Sequence, residues 1–275
     1  MLNKLLAAAI ASIASSTKIE DCSTTAQISS TKADANITLA QDWRAEMLAQ
    51  TEVQAKKHGC QFAFNRLRGG PDADFYDIQE GDAKYKHTQF QGKQMIRWND
   101  NPHAKGNFFK NQMKQAKFKR VFALNKQAKK KGTPLSLFGT NGVSPNDIQQ
   151  GDLGNCWILS AAGSMAEVPG RVENIFINHE DTSTNGISKN GIYALNLYAL
   201  MMPIVVTIDD RLPQYKNVPT ERMYTKIGED GSVWAPLLEK AMAYYHGTYE
   251  AIEGGWPEIA LNTLAGAPGR TYMHG

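Results

Sequence analysis

At 275 residues the chain has room for one large domain or two modest ones, and 42% hydrophobic with 21% charged residues is the balance of an ordinary globular protein. A net charge of +3 is too small to mark a nucleic-acid binder, and three cysteines (Cys22, Cys60 and Cys156) do not make the paired Cys/His spacing of a zinc site. The charge is nevertheless uneven, because residues 105–131 hold ten basic side chains and no acidic one.

Within residues 1–16, Lys4 supplies a short basic start and residues 5–14 are apolar, with small residues at Ser12 and Ala14 that suit cleavage. They read as a signal peptide, the alternative being an alanine-rich amphipathic helix; the stretch is too short for a retained membrane anchor. An Asn36-Ile37-Thr38 glycosylation acceptor follows within a Ser/Thr-rich, flexible segment. Should Cys22 and Cys60 pair, Cys156 is the odd thiol. Residues 39–57 predict a helix with Trp43, Met47 and Leu48 on one stripe and Gly59 as its stop. A turn comes at 68–71, and scattered aromatics without a clear period continue to about residue 100.

Met113, Phe118, Val121, Phe122 and Leu124 among many lysines predict one helix over 110–130, ended by Gly132-Thr133-Pro134. The basic run then reads as a solvated helix face, with an anionic membrane or nucleic acid as the alternative contact; no nucleic-acid partner is expected. The chain divides on this reading into 1–16, a partly helical region over 17–134, and a domain over 135–275. In that domain Val168-Pro169-Gly170 breaks the cysteine helix and a short helix follows over 171–177. Residues 192–200 and 204–208 are rich in strand formers and predict a hairpin. Asp209 and Asp210 come next, their carboxylates on opposite faces of the strand, an arrangement that favours loop capping over paired acid/base work. Trp234, Leu237, Leu238, Ala241 and Tyr245 give an amphipathic helix over 234–245, and a last short helix lies near 256–264. The fold class is α+β.

The chemistry concentrates in residues 146–162. A polar, glycine-punctuated loop (Gln150-Gly151-Asp152-Leu153-Gly154-Asn155) runs into Cys156-Trp157-Ile158-Leu159, the start of a helix that is small and apolar nearly all round and therefore buried. Cys156 stands at the junction, where unpaired helix amides favour an anionic sulfur. The alternative is a buried, inert thiol.

Gln150-Gly151-Asp152-Leu153-Gly154-Asn155-Cys156-Trp157 resembles the catalytic-cysteine motif of the calpain family, within the papain-like cysteine proteases. The match continues through Val205–Pro213, through Trp234–Ala241, and through His246-Gly247-Thr248-Tyr249-Glu250 with Gly254-Gly255, so that it spans about 137–266. The resemblance implies the N-terminal lobe of a papain-like catalytic core, with a central buried cysteine helix, a β-hairpin and further helices, preceded by a mostly helical region. It implies a cysteine endopeptidase acting on protein or peptide substrates. Cys156 is then the nucleophile, Gln150 an oxyanion donor, and Gly255 a glycine that lets substrate backbone approach. It also implies calcium held by Thr140, Gly142 and Asp147.

Two positions depart from the family pattern: Asn155 stands where an aspartate usually precedes the cysteine, and Ser232 stands where a second calcium carboxylate is expected. Asparagine remains a good helix N-cap. One carboxylate makes a weak calcium site or none. Papain-like enzymes place their histidine and asparagine roughly 130–150 residues after the cysteine, which begins past residue 275. His246 falls in a structural block of the motif, His274 matches no histidine motif, and His58, His87, His103 and His179 are expected at the surface. The chain is thus expected to lack the histidine-bearing lobe and to be inactive alone. Two alternatives are a catalytically silent module that binds substrate or a partner protease, and an enzyme whose residues 39–130 are an autoinhibitory prosegment. The N-terminus argues for the secretory pathway, the family for the cytosol.

Overall fold

A computed structural model of the chain describes residues 84–87, 90–97, 107–177, 185–199, 202–218, 222–269 and 272. All of them fall in the second of the chain's two units, Gly70–Gly275. The signal-peptide, glycosylation, Cys22/Cys60 and 39–57 helix expectations lie outside the described residues, as do His58, His103, His179 and His274. In chain order the elements are α1 (Phe108–Gln115), β1 (Ala116–Arg120), α2 (Val121–Lys130), α3 (Cys156–Ala166), β2 (Ile192–Ala199), β3 (Met202–Asp209), β4 (Arg211–Tyr215), α4 (Trp234–His246) and α5 (Pro257–Ala265). Helix and strand are mixed as an α+β chain requires. Among the described residues no helix is long and apolar enough to cross a membrane.

The expected hairpin is present, with β2 and β3 antiparallel from Ile192 opposite Asp209 to Ala199 opposite Met202. The single helix over 110–130 is not. It is two helices interrupted by β1, which pairs antiparallel with β4 from Ala116 opposite Tyr215 to Arg120 opposite Arg211. Tertiary partners override the helical preference of the sequence at this point. The Val121 amide donates to the Asp210 carbonyl at 3.0 Å and the Phe122 amide to the Asp210 carboxylate at 3.2 Å, so α2 restarts from a cap supplied by a distant strand. Phe118 and Phe122 both pack against the core, one from a strand and one from a helix. The expected helix over 171–177 is a single 3-10 turn, Glu173–Ile175.

The core is centred on α3. Its Trp157, Ile158, Leu159, Ala161, Ala162, Met165 and Ala166 are buried, and each large apolar side chain among them contributes roughly 1.5–3 kcal/mol on transfer from water. Small residues on two faces let α3 pack against both α5 and α4, while α5 also covers β2 and α4 covers β3 and β4. Phe109, Ala116, Val121 and Leu124 from α1, β1 and α2 belong to the same cluster as α3.

Helix α4 is buried on every side but its last residue, and it carries two charged side chains into the core, Glu239 and Lys240. Lys240 Nζ donates to the Asp209 carboxylate at 2.5 Å and to the carbonyls of Asp209 and Arg211 at 2.7 Å. Arg211 closes on the other Asp209 oxygen at 2.5 Å. Burial alone raises this carboxyl, but the ammonium and guanidinium outweigh it and hold Asp209 well below the usual carboxylate range. Asp210 points the other way, to Arg120 Nη1 at 2.7 Å, and burial raises it despite that partner. The paired aspartates cap α2 and pin β4 to α4. His87 also departs from expectation. It is buried, its main-chain amide donates to Asp209 Oδ2 at 3.1 Å, and its Nδ1 accepts the Phe90 amide at 2.9 Å.

Candidate active site

The loop ahead of α3 is fixed at three places. At its start, Ser144 Oγ accepts the Asn146 amide at 3.2 Å and Asp147 Oδ2 accepts the Ser144 amide at 2.9 Å, a capping box on the turn Pro145–Asp147. The same Asp147 oxygen accepts Trp234 Nε1 at 2.8 Å, tying the loop to the start of α4. In the middle, the Lys226 amide donates to the Gln149 carbonyl and the Asp152 amide to the Met223 carbonyl, each at 2.9 Å. Gly151 lies so close to the Tyr224 carbonyl that a Cβ there would strike it. The Asp152 carboxylate accepts the Tyr215 hydroxyl.

The third fixing point is Asn155. Its carbonyl accepts the amides of Ile158 (2.9 Å) and Leu159 (3.2 Å), starting α3, but its side chain makes no cap bond. The expected side-chain N-cap is therefore absent, because Nδ2 turns away and donates to Glu239 Oε1 at 2.6 Å. The Thr225 hydroxyl donates to the same oxygen at 2.6 Å and the Thr225 amide to Oε2 at 3.1 Å. No cation is among these partners. Burial raises the Glu239 carboxyl to about 7, against the opposing pull of the Thr225 and Asn155 bonds. Trp234, Thr225 and Glu239 are the site-supporting residues that sequence reasoning missed. The readable signal was Glu239-Lys240 embedded in an otherwise apolar helix.

On this frame Cys156 is the first residue of α3, exposed and a free thiol. The helix start directs unpaired backbone amides outward beside it. Gln150 is on the same loop, exposed, with Nε2 donating to the Leu153 carbonyl at 2.6 Å. That bond orients the amide within the loop and leaves the second hydrogen of the NH2 group. Gly255 comes next to the nucleophile through Trp157: a Cβ on Gly255 would lie 2.5 Å from the indole. The Gly254 amide donates to the Gly154 carbonyl at 2.8 Å and Trp157 Nε1 to the Ile252 carbonyl at 2.9 Å, so residues 252–255 form one wall beside the cysteine. Trp256, half exposed, continues that wall.

The remaining positions are not joined to these. Thr140 and Gly142 are exposed on the loop before the capping box. Asp147 is buried 6% exposed beneath it, and Ser232 is 1% exposed. Burial raises the Asp147 carboxyl, and nearby Asp230 adds to the rise against the bonds from Trp234, Ser144 and Ser232. A carboxyl already committed to an indole and an amide, with a hydroxyl in place of its expected companion, is a poor fit to a calcium ion. His246 packs edge-on against Trp157 with ring centroids 5.7 Å apart. Among the described residues no imidazole is bonded to Cys156.

The sequence model of the family described as "Calpain family cysteine protease" matches residues 99–274. Calpain-B of Drosophila melanogaster is 34% identical over 135 residues, which is 49% of this chain and 14% of that protein. Calpain-A of the same organism is 33% identical over 135 residues. Calpain-12 of Homo sapiens is 34% identical over 127 residues, 46% of this chain and 17% of that protein. The chain therefore matches only about a sixth of the length of these relatives.

Proposed function

Because the chain belongs to the calpain family of cysteine proteases, we propose that it serves peptide-bond hydrolysis through the Cys156 thiol, as the cysteine-bearing lobe of a papain-like core. The observation that carries this reading is the exposed thiol at the first residue of α3, with Gln150 held on the preceding loop and Gly255 packed against the neighbouring Trp157. Sγ attacks the carbonyl carbon of a peptide, and the electron pair displaced onto oxygen is met by the Cys156 amide and Gln150 Nε2. Collapse of that adduct expels the amine and leaves a thioester, which water then hydrolyses. A base must take the thiol proton and return it to the leaving amine. Residues bonded to Cys156 in the described part do not include one, so the reading gives this polypeptide by itself little turnover. Calcium is assigned no step, since the Thr140, Gly142 and Asp147 set fits it poorly.

Two measurements on the full chain test the proposal. A peptidyl chloromethyl ketone should modify Cys156 faster than iodoacetamide does once each rate is normalised to a free thiol, and Gln150→Ala should reduce that preference. Equal normalised rates would remove the substrate cleft from the reading. Peptide hydrolysis by the same preparation should be at background; robust turnover lost in Cys156→Ser would overturn the inactivity of the chain alone.

A further inference from the structure

Among the described residues Arg222 is a buried cation without a counter-charge. It is 7% exposed, and its Nη1 has no acceptor among the described residues. The contrast with the other arginines near β4 is direct: Arg120 pairs with Asp210 and Arg211 with Asp209. Burial brings the Arg222 guanidinium down to about 10, so it is charged at neutral pH. An unpaired buried charge costs several kcal/mol, and proteins normally compensate it.

The described residues beside it in the sheet carry no negative charge. Arg222 stands opposite Gln214 in an antiparallel bridge, and Gln214 stands opposite Lys117 in the β1–β4 pair. Directly opposed residues project onto the same face, so Lys117, Gln214 and Arg222 form one row across three segments. Lys119, two residues along β1, shares that face. Gln214 is 0% exposed and neither of its amide atoms has a partner among the described residues. Gln112 gives its Oε1 to the Tyr224 hydroxyl at 2.6 Å, two residues beyond Arg222, and leaves its own buried Nε2 unpaired. Lys117 is exposed at the open end of the row and belongs to the acid-free basic run over 105–131.

We propose that Arg222 and Gln214 form a binding site for a small oxyanion, entered from the Lys117 side. The guanidinium fork matches phosphate and carboxylate geometry. Gln214 Nε2 adds a donor, and Gln214 Oε1 requires a donor from the ligand. A partly protonated phosphate supplies both complements, whereas a simple carboxylate supplies only acceptors; phosphate is therefore the preferred ligand. No residue of the site lies on the cysteine loop, although Met223 and Tyr215, the neighbours of Arg222 and Gln214, bond to Asp152 of that loop; the proposal does not depend on the protease reading.

The test is thermal unfolding of the full chain in sodium phosphate, in acetate and in chloride, all at matched ionic strength and pH 7. Phosphate should raise the midpoint in a saturable way, by more than acetate does, as a ligand of the folded state must. Arg222→Met should weaken the apparent phosphate affinity about tenfold or more. It should not lower the midpoint in chloride, since it removes an uncompensated charge. Lys117→Ala should weaken phosphate binding less and reduce its salt dependence. Equal shifts by phosphate and acetate, both above chloride and both lost in Arg222→Met, would support an oxyanion site and overturn its preference for phosphate. The proposal fails if phosphate does no more than chloride, or if its effect survives undiminished in Arg222→Met.

Discussion

Helix α4 buries two neighbouring charges, and the structure treats them in opposite ways. Lys240 enters a cluster where opposite charges meet, with Asp209 between an ammonium and a guanidinium. Glu239, one residue earlier, enters a site of dipoles alone, with Asn155 and Thr225 as its donors. Hydrogen bonds are present in both places, yet one carboxyl is held well below its ordinary range and the other is raised to about 7. The difference is that dipoles offset only part of the desolvation of a buried carboxylate, while two cations exceed it. The charged cluster locks β3, β4 and α4 together; the dipole cluster holds the residue before the nucleophile.

The largest effect is expected from breaking the charged side. Lys240→Met removes the ammonium that makes three short bonds at Asp209 and Arg211, and leaves the Asp209 carboxylate with Arg211 as its remaining cation. A loss of about 3–5 kcal/mol is expected in urea unfolding at pH 7. A loss below about 1 kcal/mol would mean that Arg211 alone compensates Asp209, and the contrast between the two clusters would collapse.

The two carboxyls should also bend the pH dependence of stability in opposite directions. Glu239 has a folded value near 7 against an ordinary 4.5. Its contribution is therefore fully present below about pH 4.5 and is lost as pH rises to about 7, in total about 3 kcal/mol. Asp209 is depressed, so its contribution is present above its ordinary 3.8 and is lost as pH falls below that value. Asp147 and Asp210 are raised as well, which makes the wild-type slope composite. Comparing wild type with Glu239→Gln isolates one group: the variant should gain about 3 kcal/mol relative to wild type between pH 4.5 and pH 8 in denaturant midpoints. A constant difference across that range would show that Glu239 keeps an ordinary value despite its burial.

These clusters mark where the sequence was legible and where it was not. The hairpin, α3 and α4 follow from local period and composition, since each buries a face that its own residues define. The cysteine junction was legible because Gln150, Gly151, Gly154 and Cys156 hold fixed offsets on one loop. The β1 strand was hidden, because Ala116–Arg120 takes its conformation from β4 and Asp210, about ninety residues away in sequence. His87 was hidden for the same reason, its burial being set by Asp209 and Tyr244. The partners of Asp147 and Asn155 were invisible too: Trp234 and Glu239 both lie on α4, where a helical period explains Trp234 as core and has no account of Glu239. Local pattern identifies the nucleophile loop, and tertiary contact decides what steadies it.

The smallest change is expected from Asn155→Asp at pH 5, and it sharpens the dipole side of the comparison. Calpain-like sequences resembling this one usually have an aspartate at that position, whereas here Asn155 donates to Glu239 at 2.6 Å. An aspartate cannot donate when ionised, but at pH 5 Glu239 holds a proton, its folded value being near 7. That proton can bridge the two carboxyls, so the cost should stay below about 1 kcal/mol. As pH rises the bridge must either keep its proton or leave two negative charges in contact. The Glu239-linked loss of stability should therefore move to higher pH than in wild type. The measurement is the urea midpoint of wild type and Asn155→Asp at several values from pH 5 to pH 9. A profile parallel to wild type would mean that residue 155 does not sense the Glu239 charge, and that the asparagine is not needed to keep a buried carboxylate behind the cysteine.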